Sequence, residues 1–268
     1  MDQQQTPQPT AASQTLPTRE ELQAELLDIP ESTEQLKPVD PPGLDQIFAS
    51  VLRHIRGTRG GDLVAIILVG SGARRALTPH SDLDFIALIK GQNEGQEIIR
   101  VADRLVEIRY REYKTVEQEL AYVPRLPPLL RKGRVLFEHE AIGTKLLDKA
   151  NQRFRSGPPP VTLNEKIRLK ADCFHWLGKA EDLSRYPAVA TYLLGQFLED
   201  LLEAVLRLRG FWPTAPADLL RFVASRDAAL GNLLERFLTE PAVPKRLVLG
   251  RELADLAFHD IPNPPRVD

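Results

Sequence analysis

Apolar positions fall into two rhythms, and the change from one to the other divides the chain. Over residues 44–56, Leu44, Ile47, Phe48, Val51, Leu52 and Ile55 repeat at helical spacing, and Gly57 with Gly60-Gly61 is expected to end that helix. Leu63–Val69 is a continuous aliphatic run, the signature of a buried strand, and a second strand is expected over Asp82–Ile89. A short helix lies between them, broken before Pro79. Ile98–Val101 and Leu105–Tyr110 flank a tight turn near Ala102-Asp103 and predict a hairpin. Thr115 and Gln118 predict a capped helix through Leu120. Val135–Phe137 reads as a last short strand, and Ala141–Phe154 as a helix.

Gly157 followed by Pro158, Pro159 and Pro160 marks a boundary, beyond which no strand pattern occurs. Ile167, Ala171, Phe174, Leu177 and Leu183 mark one amphipathic helix. Val189, Leu193, Phe197, Leu201, Val205 and Leu208 mark a longer one that Gly210 and Pro213 stop. Shorter helices are expected near 217–224, 227–239 and 245–258. The fold class is therefore α+β: a small mixed sheet over 44–156, then an all-α helical bundle over 161–260 and a tail over 261–268. Residues 1–43, rich in Gln, Thr and Pro, read as a disordered acidic tail with one short helix box-capped at Thr18–Glu21.

Composition narrows the class without naming a function. Hydrophobic content of 43% and charge of 27% are ordinary for a soluble globular protein. No apolar run reaches the ~18–20 residues of a membrane span, and the N-terminus lacks the basic start and apolar core of a signal peptide. The single cysteine, Cys173, excludes an internal disulfide framework, so a cytoplasmic location is expected. Residues 1–45 hold nine acids against two bases, a net of −7 within the overall −2, which leaves the rest of the chain at +5. That mildly basic body suits a polyphosphate ligand and falls short of a nucleic-acid footprint.

The chemistry concentrates between Gly70 and Asp84. A small-residue turn after a buried strand frees backbone N–H groups, and the dipole of a following helix adds to them. Gly70 and Gly72 allow close approach of an anion, Ser71 supplies a hydroxyl, and Arg74 and Arg75 add charge-assisted donors. On a strand, Asp82 and Asp84 project from one face. Two such carboxylates are rarely both ionised without a cation between them, and magnesium takes one or two carboxylates plus phosphate oxygens. A third acid is expected nearby. Glu107, on a strand able to pair with Asp82–Ile89, is the best candidate, and Glu112 is the alternative. The five histidines show no metal-ligand spacing, and Arg168 with His175, an Arg-x6-His pair resembling the HEPN-type ribonuclease motif, reads as structural. Trp176, Phe211 and Trp212 are assigned to packing between helices.

Gly70-Ser71-x-Ala73-Arg74 followed by Ser81-Asp82-x-Asp84 resembles the nucleotidyltransferase superfamily that includes DNA polymerase beta, in particular its minimal and aminoglycoside-type members. The likeness covers roughly 45–155, with one departure: Arg75 stands where the family usually has glycine. The resemblance implies a nucleotidyltransferase with two magnesium ions held by Asp82, Asp84 and Glu107. It also implies a nucleoside triphosphate donor, ATP by default, bound by Gly70, Ser71, Gly72, Arg74, Arg75 and Ser81. In two-domain relatives a glutamate of the helical part acts as general base, and Glu199, Asp200 or Glu203 would fill that role here. The expected acceptor is a small-molecule hydroxyl. The rivals are nucleotidylation of a protein or RNA, as in antitoxin-type systems, and a non-catalytic nucleotide-binding module. No membrane partner is expected, and a homodimer stays among the candidate assemblies.

Overall fold

The computed structural model describes residues 43–266. The expectations for the N-terminal tail, its capped helix included, fall almost wholly outside that range. Helix α1 (Leu44–Arg59) leads into strand β1 (Leu63–Val69), the single-turn helix α2 (Gly70–Ala73) and strand β2 (Leu83–Ile89). Strands β3 (Gly95–Val101) and β4 (Arg104–Glu112) form the hairpin. Helices α3 (Tyr113–Glu119) and α4 (Leu126–Leu130) follow, then strand β5 (Arg134–Glu138) and helix α5 (Ile142–Arg155). The described residues from there on are helical: α6 (Leu163–Asp182), α7 (Pro187–Leu208), α8 (Pro216–Arg226), α9 (Ala228–Thr239) and α10 (Val243–Ala257). The fold is α+β, as the sequence pattern implies.

The five strands lie in the order β3-β4-β2-β1-β5. Strands β2 and β4 run parallel, and the other three pairings are antiparallel. Alternation assigns the faces. On one, Phe48, Val51 and Ile55 of α1 pack on Leu68, Phe85 and Ile108, with Phe48 edge-on to Phe85 at 6.2 Å. On the other, Val69, Ile86 and Leu88 pack under Val116, Leu130 and Leu146 of α3–α5. All seven residues of β1 are buried, because this strand is covered on both faces.

Several local expectations are corrected. Helix α1 runs through Gly57 to Arg59, since its buried stripe Leu44, Phe48, Val51 and Ile55 holds it to α1's face of the sheet. Strand β2 begins at Leu83, so Asp82 precedes the ladder. Helix α3 starts at Tyr113, and Glu112 rather than Thr115 caps it, accepting from the Thr115 backbone N–H at 2.6 Å. Helix α4 was hidden by Pro127 and Pro128, which the first helical turn tolerates because its N–H groups have no intrahelical partner. In α6 the buried stripe is Cys173, Leu177 and Ala180, and in α7 Val189 is 44% exposed while Ala190 and Leu194 are buried.

Helices α6 and α7 pair, and Trp176 of α6 donates its indole N–H to Asp200 of α7 at 2.9 Å. Gly250 lets α10 lie close against both, since a Cβ there would stand 3.0 Å from Leu177 and 3.4 Å from Phe197. The sheet part and the helices are joined at Trp212, which stacks on Phe154 at 5.9 Å and donates to its carbonyl at 2.9 Å. Among the described residues no helix is long and apolar enough to cross a membrane.

Candidate active site

Asp84 is the centre of the candidate site. In the β1–β2 ladder it pairs with Val69, the last residue of β1, and in the parallel β2–β4 ladder it pairs with Glu107. It therefore sits between the Gly70 turn and Glu107, on the face that α3–α5 cover further along the strand. Gly70 has φ 65°, which favours glycine, and a Cβ there would lie 2.5 Å from Asp84 Oδ2. Turn and carboxylate are in direct contact, so each fixes the other.

The rest of the Gly70–Asp84 segment divides between packing and support. Gly72 is buried, and a Cβ on it would meet Leu83 at 2.9 Å and Leu68 at 3.2 Å. Close packing of α2 on the strands accounts for its missing side chain. Helix α2 is one turn long, so its dipole is far weaker than the expected helix would supply. Ser81 closes a turn: its Oγ accepts from the Thr78 backbone N–H at 2.8 Å and bonds the Thr78 hydroxyl at 3.0 Å. Arg104 ties the same turn to β4, donating to the carbonyls of Thr78 at 3.1 Å and Ser81 at 2.9 Å. The sequence pattern gave no sign of that brace.

Arg75, the departure from the family pattern, has φ 54°. It adopts the left-handed conformation that glycine takes without strain, so Arg75 carries backbone strain. Arg75→Gly is expected to raise stability by about 0.5–1 kcal/mol, the strain relieved less the added freedom of the unfolded chain. Urea unfolding with a higher midpoint and an unchanged slope would establish this; a lower midpoint would mean that the guanidinium's contacts outweigh the strain.

Electrostatics single out Asp84. Burial raises its pKa from the usual carboxylate value to about 6, the charges of Asp82 and Glu107 push the same way, and Arg109 partly offsets them. Glu107 is engaged by Arg109, two residues along the same strand face, and accepts from Gln96 Nε2 at 3.0 Å. Among the described residues no three His, Cys, Asp or Glu side chains converge closely enough to hold a metal ion as they stand. The donor set nonetheless suits magnesium in kind. Asp82, Asp84 and Glu107 are hard oxygen donors, the charges of Asp82 and Glu107 both bear on Asp84, and Glu107 lies beside Asp84 in the ladder. Glu112, the alternative third acid, pairs with Ile89 at the far end of the ladder and is spent on capping α3.

The acids expected to serve as general base lie on α7. Asp200 accepts from Trp176, and Glu203 lines a groove with Arg168, Asp172 and Arg207. A different acid of the helical segment reaches the central stretch. Asp218, in the first turn of α8, lies 3.5 Å from Arg74 Nη1 and also accepts from Arg221 Nη2 at 2.8 Å. Of the residues the sequence reading missed, Arg109 was within reach, because strand alternation puts it beside Glu107. Asp218 carried no local signal.

No protein-family model and no curated protein matches the chain. Among solved structures it is similar to a nucleotidyltransferase-like protein from Exiguobacterium sibiricum 255-15. The two are 15% identical, the match covers 81% of this chain and 75% of that one, and the TM-score is 0.47.

Proposed function

We propose that the chain is a magnesium-dependent nucleotidyltransferase that moves a nucleoside monophosphate, AMP from ATP by default, onto a hydroxyl of a small-molecule acceptor. One observation carries this reading: Asp84 is wedged between the Gly70 turn and Glu107, with its pKa raised to about 6 by burial and by two neighbouring carboxylates. Carboxylates serving only the surface would spread apart, whereas here the parallel ladder sets Asp84 beside Glu107. Asp82, Asp84 and Glu107 would hold magnesium, whose charge would offset their repulsion and stabilise charge building on the α-phosphate. The Gly70–Ser71 turn and Arg74 or Arg75 would orient the outer phosphates. The acceptor oxygen then bonds to the α-phosphorus as its proton passes to solvent, and the α-phosphorus–oxygen bond to pyrophosphate breaks with its electron pair leaving on pyrophosphate.

Calorimetric titration with ATP in the presence and absence of magnesium tests this directly. Binding should require magnesium and should weaken at least ~tenfold in Asp82→Asn and Asp84→Asn, with release of pyrophosphate lost as well. A wild-type protein that binds no nucleotide, or variants that bind and turn over normally, would sink the reading. Binding without pyrophosphate release from any acceptor would leave a nucleotide-binding module.

A second reading, with a protein or RNA as acceptor, is favoured by the surface beside Glu107. Ile98, paired with Glu107 across the hairpin, is 60% exposed, and Leu105 is 45% exposed. An open sheet face of this kind suits a large acceptor better than an enclosing pocket would. Labelled ATP incubated with cell lysate separates the two by whether label runs with macromolecule or with small metabolites.

A further inference from the structure

We infer that Asp218 is a positioning residue that holds Arg74 in reserve beside the Gly70 turn and yields it to the phosphates of an incoming nucleoside triphosphate. The inference rests on the reading of the Gly70–Asp84 segment as a nucleotide site. Among the described residues Arg74 makes two polar contacts, both long: Nε to the Gly70 carbonyl at 3.4 Å and Nη1 to Asp218 Oδ2 at 3.5 Å. A guanidinium can place two parallel N–H donors on a carboxylate or phosphate at well under 3 Å, so its donating capacity is largely unspent. Asp218, by contrast, is firmly held on its other oxygen by Arg221 at 2.8 Å. When Arg74 leaves, Asp218 keeps a cationic partner, and the cost of separating the pair is small.

The side chains of Arg74 and Asp218 are each 26% exposed, so the pair is shielded enough for its charges to be felt. A triphosphate carries several negative charges against the one of Asp218 and would win the guanidinium. Since Asp218 belongs to the first turn of α8, the exchange reports nucleotide occupancy to the helical segment, and by linkage whatever steadies Asp218 alters nucleotide affinity.

The test uses full-length protein titrated with magnesium-ATP by calorimetry, with thermal unfolding confirming that each variant is folded. Asp218→Asn should bind about three- to tenfold more tightly than wild type, and the gain should vanish when Arg74→Ala is added. Arg221→Gln should act in the opposite direction, weakening binding severalfold by leaving Asp218 to grip Arg74 alone, and it keeps the inference testable if Asp218→Asn does not fold. Hydrogen exchange over 216–226 should quicken when nucleotide binds to wild type and stay unchanged in Asp218→Asn. Wild-type binding with Asp218→Asn unchanged, weakened, or tightened equally without Arg74 overturns this inference alone. No binding by wild type overturns the site reading and the inference with it.

Discussion

Gly70→Ala is expected to lower turnover by ~10²-fold or more while costing about 1–3 kcal/mol of stability. Two effects act together. The new residue must hold φ 65°, and its Cβ would stand 2.5 Å from Asp84 Oδ2. The clash falls on the carboxylate because β2 is paired on both sides and cannot retreat, so Asp84 must rotate away from its position beside Glu107. Gly91→Ala is the matched control. Gly91 has φ 89° with nothing within 4 Å of the added Cβ, so it should lose comparable stability and keep its turnover. Equal loss of turnover in both variants would mean that Gly70 acts only through backbone strain.

The second large effect has opposite signs for stability and activity. Asp84→Asn is expected to reduce turnover by ~10²–10³-fold and, without divalent cations, to stabilise the protein at pH 7. The folded pKa of Asp84 is about 6 against an ordinary value of 3.8, so between these values the folded state binds more protons than the unfolded chain. Stability therefore falls as pH rises through that window, and the full penalty stands above it. For a half-buried group this amounts to on the order of 2 kcal/mol after screening, or roughly 5 °C in melting temperature. Melting curves of wild type and Asp84→Asn should coincide near pH 3.5, diverge between about pH 4 and 6, and run parallel above. Curves that coincide at pH 7 would show that Asp84 is not held under strain by its neighbours.

Periodicity revealed the elements far better than their duties. Leu63–Val69 was legible because a strand covered on both faces must be aliphatic throughout, and Leu105–Tyr110 because its alternation buries Val106 and Ile108 while Glu107 and Arg109 take the other face. The same alternation made Glu107 a candidate partner for Asp84, and the parallel register pairs the two residues. Individual contacts were less legible. Glu112 caps a helix, Ser81 closes a turn, and Gly72 yields room to Leu83. Arg104 and Asp218 reach the central stretch across 23 and 144 positions of chain, distances over which no local pattern survives.

The parallel pairing of β2 with β4 has one more consequence. Registers move in whole residues, and a slip of one along β4 would bring Val106 or Ile108 beside Asp84 and drive Glu107 and Arg109 toward the packed face of α1. Burying those two charges among Phe48, Val51 and Ile55 would be prohibitive. Glu107 thus has no intermediate settings: the oil on one side of the hairpin locks the acid on the other, and the spacing of Asp84 and Glu107 is inherited from the core.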